Sequence, residues 1–233
     1  MDTGRVSPLL ELLTAELERP REVSAQVIKH LVGTHGVARE AIGAFLIAEL
    51  PKLEDYEVDL ILAPLFTPTM PRTGKPFSVR MTNCGPLGWV SDRDGGYRYQ
   101  ATHPATAEPW PAMPASLLDA WAELGGFEAP PEACLVNFYA ADARMGLHVD
   151  ADEKEPRAPV LSISLGATCL FRYGGLKRND HTKSVKLSSG DVVVIGGQSR
   201  FCYHGVDRLY PGTSTLLPND ARINLTLRRV TAA

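Results

Sequence analysis

The chain has 233 residues, 44% of them hydrophobic and 22% charged, the balance of one globular domain with a sizeable core and an added segment. A formal net charge of −3 excludes a general electrostatic pull toward nucleic acid, so any such binding must come from a local patch, for which Arg93, Arg98, Lys177 and Arg178 are the candidates. No apolar run approaches the ~20 residues that span a bilayer, and no basic stretch leads into an apolar core near the N-terminus, so the expectation is a cytoplasmic protein with no membrane partner.

In chain order, 7–18 predicts a helix, with Ser7 as its cap, Pro8 in its first turn and leucines at helical spacing. Further helices are expected from about Arg21 and over 38–50, ending before Pro51. Residues 1–66 thus form a helical N-terminal segment of unknown role; His30 and His35 lie in it without a carboxylate or cysteine at ligand spacing, and are taken as structural or exposed. Prolines and a Thr73-Gly74 pair then signal turns leading into a first strand at 77–82. Residues 83–114, rich in Gly, Pro and aromatics, have the composition of a long ordered loop, the kind that serves as a binding lid. A helix is expected over 116–124, then short strands at 134–139, 145–149, 159–165, 168–173, 184–187, 191–195, 200–204 and 222–229. This succession predicts an α+β, mainly β chain: a jelly roll, or double-stranded β-helix, whose mouth can hold a metal between two sheets. The four cysteines, Cys84, Cys134, Cys169 and Cys202, form no Cys-x-x-Cys pair and are expected to be reduced and mostly buried.

The most informative stretch is Leu147-His148-Val149-Asp150. On an extended strand, residues two apart share a face, so His148 and Asp150 can offer an imidazole and a carboxylate to one ion, with His204 of Tyr203-His204-Gly205 arriving from a distant strand. Two histidines and one carboxylate leave about three positions open, as in non-haem Fe(II) oxygenases. A His-x-Asp alone reads equally as two polar strand-end residues. The strand after His204 adds the second feature: its alternation puts Arg222, Asn224, Thr226 and Arg228 on one face and Ile223, Leu225 and Leu227 on the other. Two arginines facing a core need anions, and a small dicarboxylate would supply them, unless this is an edge strand with a solvated polar face. Asn137 and Tyr139 of Cys134–Tyr139 share a face in the same way.

From about Met81 onward the chain resembles the AlkB family of Fe(II)- and 2-oxoglutarate-dependent dioxygenases, in particular the bacterial enzymes that dealkylate nucleic acid. The matching segments are Met81-Thr-Asn-Cys-Gly85, Leu87-Gly-Trp89, Pro109-Trp-Pro-Ala-Met-Pro114, Leu147–Asp150, Phe171–Asp180, Gly190-Asp-Val-Val-Val194, Tyr203–Gly205 and Arg222–Arg228. The resemblance implies that His148, Asp150 and His204 hold iron. It further implies that Arg222 pairs with the distal carboxylate of 2-oxoglutarate near Asn224 and Tyr139, and that Asn137 and Arg228 stand at the keto-acid end. Trp89, Tyr97 and Tyr99 correspond to the wall of a nucleotide-recognition lid, and Asp152 and Arg178 to contacts with an extruded base. Two departures stand out: Asp94-Gly95-Gly96-Tyr97 is one residue longer than the family's pattern, and Ile195 stands where a tryptophan is expected, which bears on pocket volume rather than chemistry.

The implied organisation is a dioxygenase domain over 67–233 with its substrate lid at 83–114. The implied reaction is oxidative removal of N-alkyl groups from bases of the 1-methyladenine and 3-methylcytosine type. Its substrate would be single-stranded or base-flipped DNA, with RNA a further candidate, and the protein would act as a monomer. The competing readings are a related dioxygenase acting on a protein side chain or small molecule, and a non-enzymatic jelly-roll binding module.

Overall fold

The structure is a computed structural model and describes residues 65–233. The helices expected at 7–18, from 21 and over 38–50, with His30 and His35, lie outside the described residues.

Among the described residues, eleven strands and one α-helix are arranged as two antiparallel sheets and a separate hairpin. The larger sheet joins β1 (Arg80–Cys84), β4 (Ala133–Tyr139), β11 (Arg222–Arg228), β6 (Val160–Gly166) and β9 (Val192–Ile195), in the order β1-β4-β11-β6-β9. The smaller joins β5 (Met145–His148), β10 (His204–Leu209), β7 (Cys169–Tyr173) and β8 (Lys183–Leu187), in the order β5-β10-β7-β8. Strands β4 to β11 thus divide four to each sheet, the expected jelly roll. Among the described residues no helix is long and apolar enough to cross a membrane.

Strand β11 fixes the layout. It pairs with β4 on one side and β6 on the other, and every one of its residues is buried. It is therefore a central strand, and a solvated polar face on an edge is ruled out. Its apolar residues Ile223, Leu225 and Leu227 join Val136, Leu161 and Ile163 in a core cluster covered by helix α1 (Ala115–Leu124). That helix buries Leu117, Ala120, Trp121 and Leu124, a single stripe at helical spacing. A second cluster fills the space between the sheets, with Leu135, Tyr139 and Val160 from the larger and Phe171, Leu187 and Val206 from the smaller. All four cysteines are free and buried.

Three sequence expectations change. The first strand begins at Arg80 rather than residue 77, because the chain up to Ser78 is held in turns and isolated bridges such as Thr69 with Pro76. The lid region is not one long loop: it contains the hairpin β2 (Gly88–Asp92) and β3 (Gly96–Gln100), which pair only with each other. Asp94 and Gly95 lie in the turn of this hairpin, where Asp92 Oδ1 accepts the amides of both and Gly96 adopts a φ of 69°. The strand expected at 200–204 is displaced. Gly197–Ser199 forms a 3-10 turn, the Cys202 amide donates to the Ser199 carbonyl, and the strand starts at His204. The β-forming residues Phe201, Cys202 and Tyr203 suggest a strand, but the Cys202 amide is committed to this turn, and the Tyr203 amide and carbonyl bond to Gly175 and Gly174 instead.

At Gly205, β10 is irregular and passes very close to β5. A Cβ on Gly205 would lie 2.5 Å from the Met145 carbonyl oxygen and 2.9 Å from that of Gly146. Gly205→Ala is therefore expected to push β5 away from β10 and lower stability by about 1–3 kcal/mol, measured by urea unfolding of the full chain.

Candidate active site

His148 ends β5, and its direct cross-strand partner is His204, the first residue of β10. Asp150 follows β5 by two residues and turns its carboxylate between the two rings. His148 Nε2 lies 3.7 Å from Asp150 Oδ1, and His204 Nε2 lies 3.7 Å from Oδ2. Those separations are too long for good hydrogen bonds, yet the donor atoms of the three residues all fall within 4.8 Å of one another. The ring orientation is set from behind: Nδ1 of His148 donates to the Gly146 carbonyl at 2.9 Å, and Nδ1 of His204 to that of Cys202 at 3.1 Å. A carbonyl only accepts, so each Nδ1 carries a proton and Nε2 is the nitrogen turned toward Asp150 in both rings.

Electrostatics prepare the same set of donors. Burial, and then the adjoining His148, push His204 down to about 4, which keeps its imidazole neutral. Burial works against ionising Asp150, but Arg228 and the two histidines override it and hold the carboxyl well below its usual range. A neutral His204 imidazole beside the ionised Asp150 carboxylate, with His148 turned toward both, forms a donor set suited to a divalent ion. The sequence-derived triad is thus brought together and fits a metal.

Beside it lies a cavity of about 380 Å³ between the two sheets. Arg222 reaches it from β11 with 1% of its surface exposed. Its Nη2 donates to Ser164 Oγ at 3.0 Å, while Nε and Nη1 have no partner. Its guanidinium carbon sits 5.1 Å from the centre of the Tyr139 ring. Burial pushes the Tyr139 hydroxyl up to about 12, so it remains a donor. Asn137 lines the same wall, with its Oδ1 unpartnered. A buried guanidinium with two idle nitrogens is costly, and a carboxylate bound bidentately is the group that suits it.

The other expected residues behave differently. Asn224 is already engaged, donating to Ser162 Oγ at 2.7 Å and to the Ile163 carbonyl at 3.0 Å. Arg228 turns to the ligand carboxylate, with Nη2 2.9 Å from Asp150 Oδ1. In the lid, Trp89 donates from Nε1 to Asp152 Oδ2 at 2.8 Å and stacks on Tyr97 with ring centroids 5.6 Å apart. Trp89, Tyr97, Asp152 and Arg178 all line the cavity; Tyr99 does not. The Tyr99 hydroxyl instead donates to Glu153 Oε1 at 2.5 Å and accepts from Arg228 Nη1 at 3.0 Å. Arg178 is exposed at the rim and holds the Leu147 carbonyl at 2.8 Å. Ile195 forms part of the cavity wall where an indole was expected.

Residues 55–228 match the family model described as the 2OG-Fe(II) oxygenase superfamily. The alpha-ketoglutarate-dependent dioxygenase AlkB homolog of Caulobacter vibrioides is 58% identical over 160 residues, covering 69% of this chain and 72% of that protein. The chain belongs to the AlkB family. Another member, AlkB of Escherichia coli, is 49% identical over 160 residues, covering 67% of this chain and 73% of its own length. The solved structure of OsALKBH1 superposes with a TM-score of 0.59 at 32% identity, covering 74% of this chain and 87% of that one. This AlkB-family protein is accordingly an Fe(II)- and 2-oxoglutarate-dependent dioxygenase.

Sequence reasoning missed Glu153, Arg200 and Ser164. Glu153 is concealed in an acidic run, and Ser164 is one hydroxyl in an otherwise ordinary strand. Arg200 carried a signal: it is a lone cation heading the apolar stretch Phe201-Cys202-Tyr203.

Proposed function

We propose that this AlkB-family dioxygenase removes N-alkyl groups from nucleobases in DNA. The observation that carries the reading is the unsatisfied Arg222 guanidinium, buried in the same cavity as the His148–Asp150–His204 cluster and beneath an aromatic lid. When bound, iron and 2-oxoglutarate supply the means to hydroxylate an N-alkyl carbon with dioxygen, releasing succinate, carbon dioxide and, from a methyl group, formaldehyde.

The protein's own share is position and charge. His148, Asp150 and His204 hold the metal, and the Gly146 and Cys202 carbonyls keep both Nε2 atoms available. Arg228 occupies Asp150 Oδ1 and so aims the remaining carboxylate lone pairs at the ion. Arg222 takes the distal carboxylate of the keto acid, with Tyr139 and Asn224 shaping that end and Asn137 at the other. An alkylated base edge is inaccessible inside a duplex, so the base enters single-stranded or flipped and stacks between Trp89 and His148. Its arrival frees Asp152 from the Trp89 indole, leaving a carboxylate to accept from an exocyclic amine or to favour a cationic, alkylated ring. Tyr97 and Arg178 complete the mouth. The domain assignment, 67–233 acting as a monomer with 83–114 as lid, belongs to the same proposal.

The test is formaldehyde release from oligonucleotides bearing 1-methyladenine or 3-methylcytosine, with Fe(II) and 2-oxoglutarate supplied. His148→Ala is expected to bring release down to the enzyme-free level; unchanged release would overturn the ligand assignment. Steady 2-oxoglutarate turnover with every methylated oligonucleotide ignored would shift the substrate to a protein side chain or small molecule. Trp89→Ala is expected to weaken substrate use by about 1–3 kcal/mol, seen as a higher KM, while the protein still binds metal.

A further inference from the structure

One charged side chain outside the cavity lining is equally buried and far more fully bonded than Arg222. Arg200, 3% exposed, lies between the 3-10 turn and β10. Each of its nitrogens donates: Nε to the Ala158 carbonyl at 2.8 Å, Nη1 to the Asp150 carbonyl at 2.6 Å, and Nη2 to Glu153 Oε2 at 2.9 Å. The three acceptors span the loop that bears Asp150 and Asp152, so one guanidinium sets the course of that loop. The Glu153 carboxylate, 1% exposed, is shared. Its other oxygen accepts the Tyr99 hydroxyl and lies 3.4 Å from Arg228 Nη1, and Arg228 returns to the Asp150 carboxylate.

The connections form a closed circuit in which two guanidiniums balance two carboxylates. Asp150 is held at its carbonyl by Arg200 and at its carboxylate by Arg228, with Glu153 bridging the two arginines. Tyr99 of β3 is the lid hairpin's contribution to that circuit, and it is spent on its hydroxyl rather than on the cavity wall. A hairpin displaced from the cavity would withdraw this hydroxyl from both Glu153 and Arg228, and so loosen the carboxylate that faces the metal.

We propose that Arg200 is a positioning residue that fixes Asp150 for the metal and, through Glu153 and the Tyr99 hydroxyl, ties the placement of the lid hairpin to the metal centre. This rests on the reading of His148, Asp150 and His204 as metal ligands. Lid closure and ligand geometry then depend on each other, and the dependence is reciprocal.

The test uses the full chain with Mn(II) as a redox-silent probe, titrated by electron paramagnetic resonance, alongside amide hydrogen exchange over residues 88–100. Arg200→Lys keeps the charge beside Glu153 but replaces three donor nitrogens with one. It is expected to weaken Mn(II) binding by about tenfold and to speed exchange in the hairpin, with Arg200→Met further in both directions. Should Arg200→Met fail to fold, the charge-balanced Arg200→Met/Glu153→Gln replaces it, with the same expectation. Tyr99→Phe, acting from the lid side, is expected to move both readings in the same sense. Unaltered Mn(II) affinity and unaltered hairpin exchange in Arg200→Lys, with or without a lower Tm, would reduce Arg200 to a loop anchor and overturn the proposal, as would a change in one reading without the other. Failure of the unsubstituted chain to bind Mn(II) would instead overturn the ligand assignment, and the proposal with it.

Discussion

Arg222→Ala is expected to raise the 2-oxoglutarate concentration needed for half-maximal turnover by roughly ten- to a hundredfold, the loss of hydrogen bonds to a charged group worth about 1.5–3 kcal/mol. The same substitution is expected to leave the Tm of the ligand-free protein almost unchanged or slightly raised. Two of the Arg222 nitrogens are buried without partners, so deleting the side chain removes a penalty along with its single bond to Ser164. The separating measurement is the rise in Tm on adding 2-oxoglutarate with Mn(II): it should be large in the unsubstituted chain and much smaller in Arg222→Ala. An equal rise in both would mean that another group binds the distal carboxylate.

Arg228→Met, six positions along the same face of β11, is expected to do the opposite. Arg228 is paired with Asp150 and Glu153 and bonded to Tyr99. Removing it leaves two buried carboxylates with one nearby guanidinium, and breaking such a pair costs about 3–5 kcal/mol. The sign of the linkage follows from Asp150. Burial opposes its ionisation and Arg228 reverses this, so its folded-state carboxyl lies below the unfolded value. That contribution is present above about pH 4 and is lost as pH falls below it. In Arg228→Met the ligand-free protein should therefore be less stable at neutral pH, and its stability should fall less steeply on acidification. Calorimetric Tm values across pH 3–7 give both; a Tm at neutral pH unchanged by the substitution would contradict the pairing described for Arg228.

The contrast between these arginines marks how far the sequence could be read. Alternation along β11 placed both on one face and called for anions, and that was enough to anticipate a small dicarboxylate, which the resemblance to the AlkB family then made a keto acid. It could not tell that Arg222 keeps two unpartnered nitrogens while Arg228 already has two carboxylates from the chain, because Asp150 and Glu153 lie far away in primary order and only the paired sheets bring them close. The metal cluster was legible for a different reason: His148 and Asp150 are local, and His204 needed only one strand pairing to join them. The lid was less so. Its Gly and Pro content concealed the β2–β3 hairpin, and Tyr99, two residues from Tyr97 on the same strand and expected to face substrate with it, turns its hydroxyl into a buried network with Glu153 and Arg228, partners remote in primary order.

Strand β11 is buried on both sides, with guanidiniums toward the cavity and Ile223, Leu225 and Leu227 toward Trp121 of α1. It acts as a partition one residue thick. A change in bulk at Trp121, on the side that never meets solvent or substrate, is transmitted through that partition as a shift in where the two arginines sit. Tolerance to substitution should therefore be lowest not only around the iron but also directly behind it, beneath the helix.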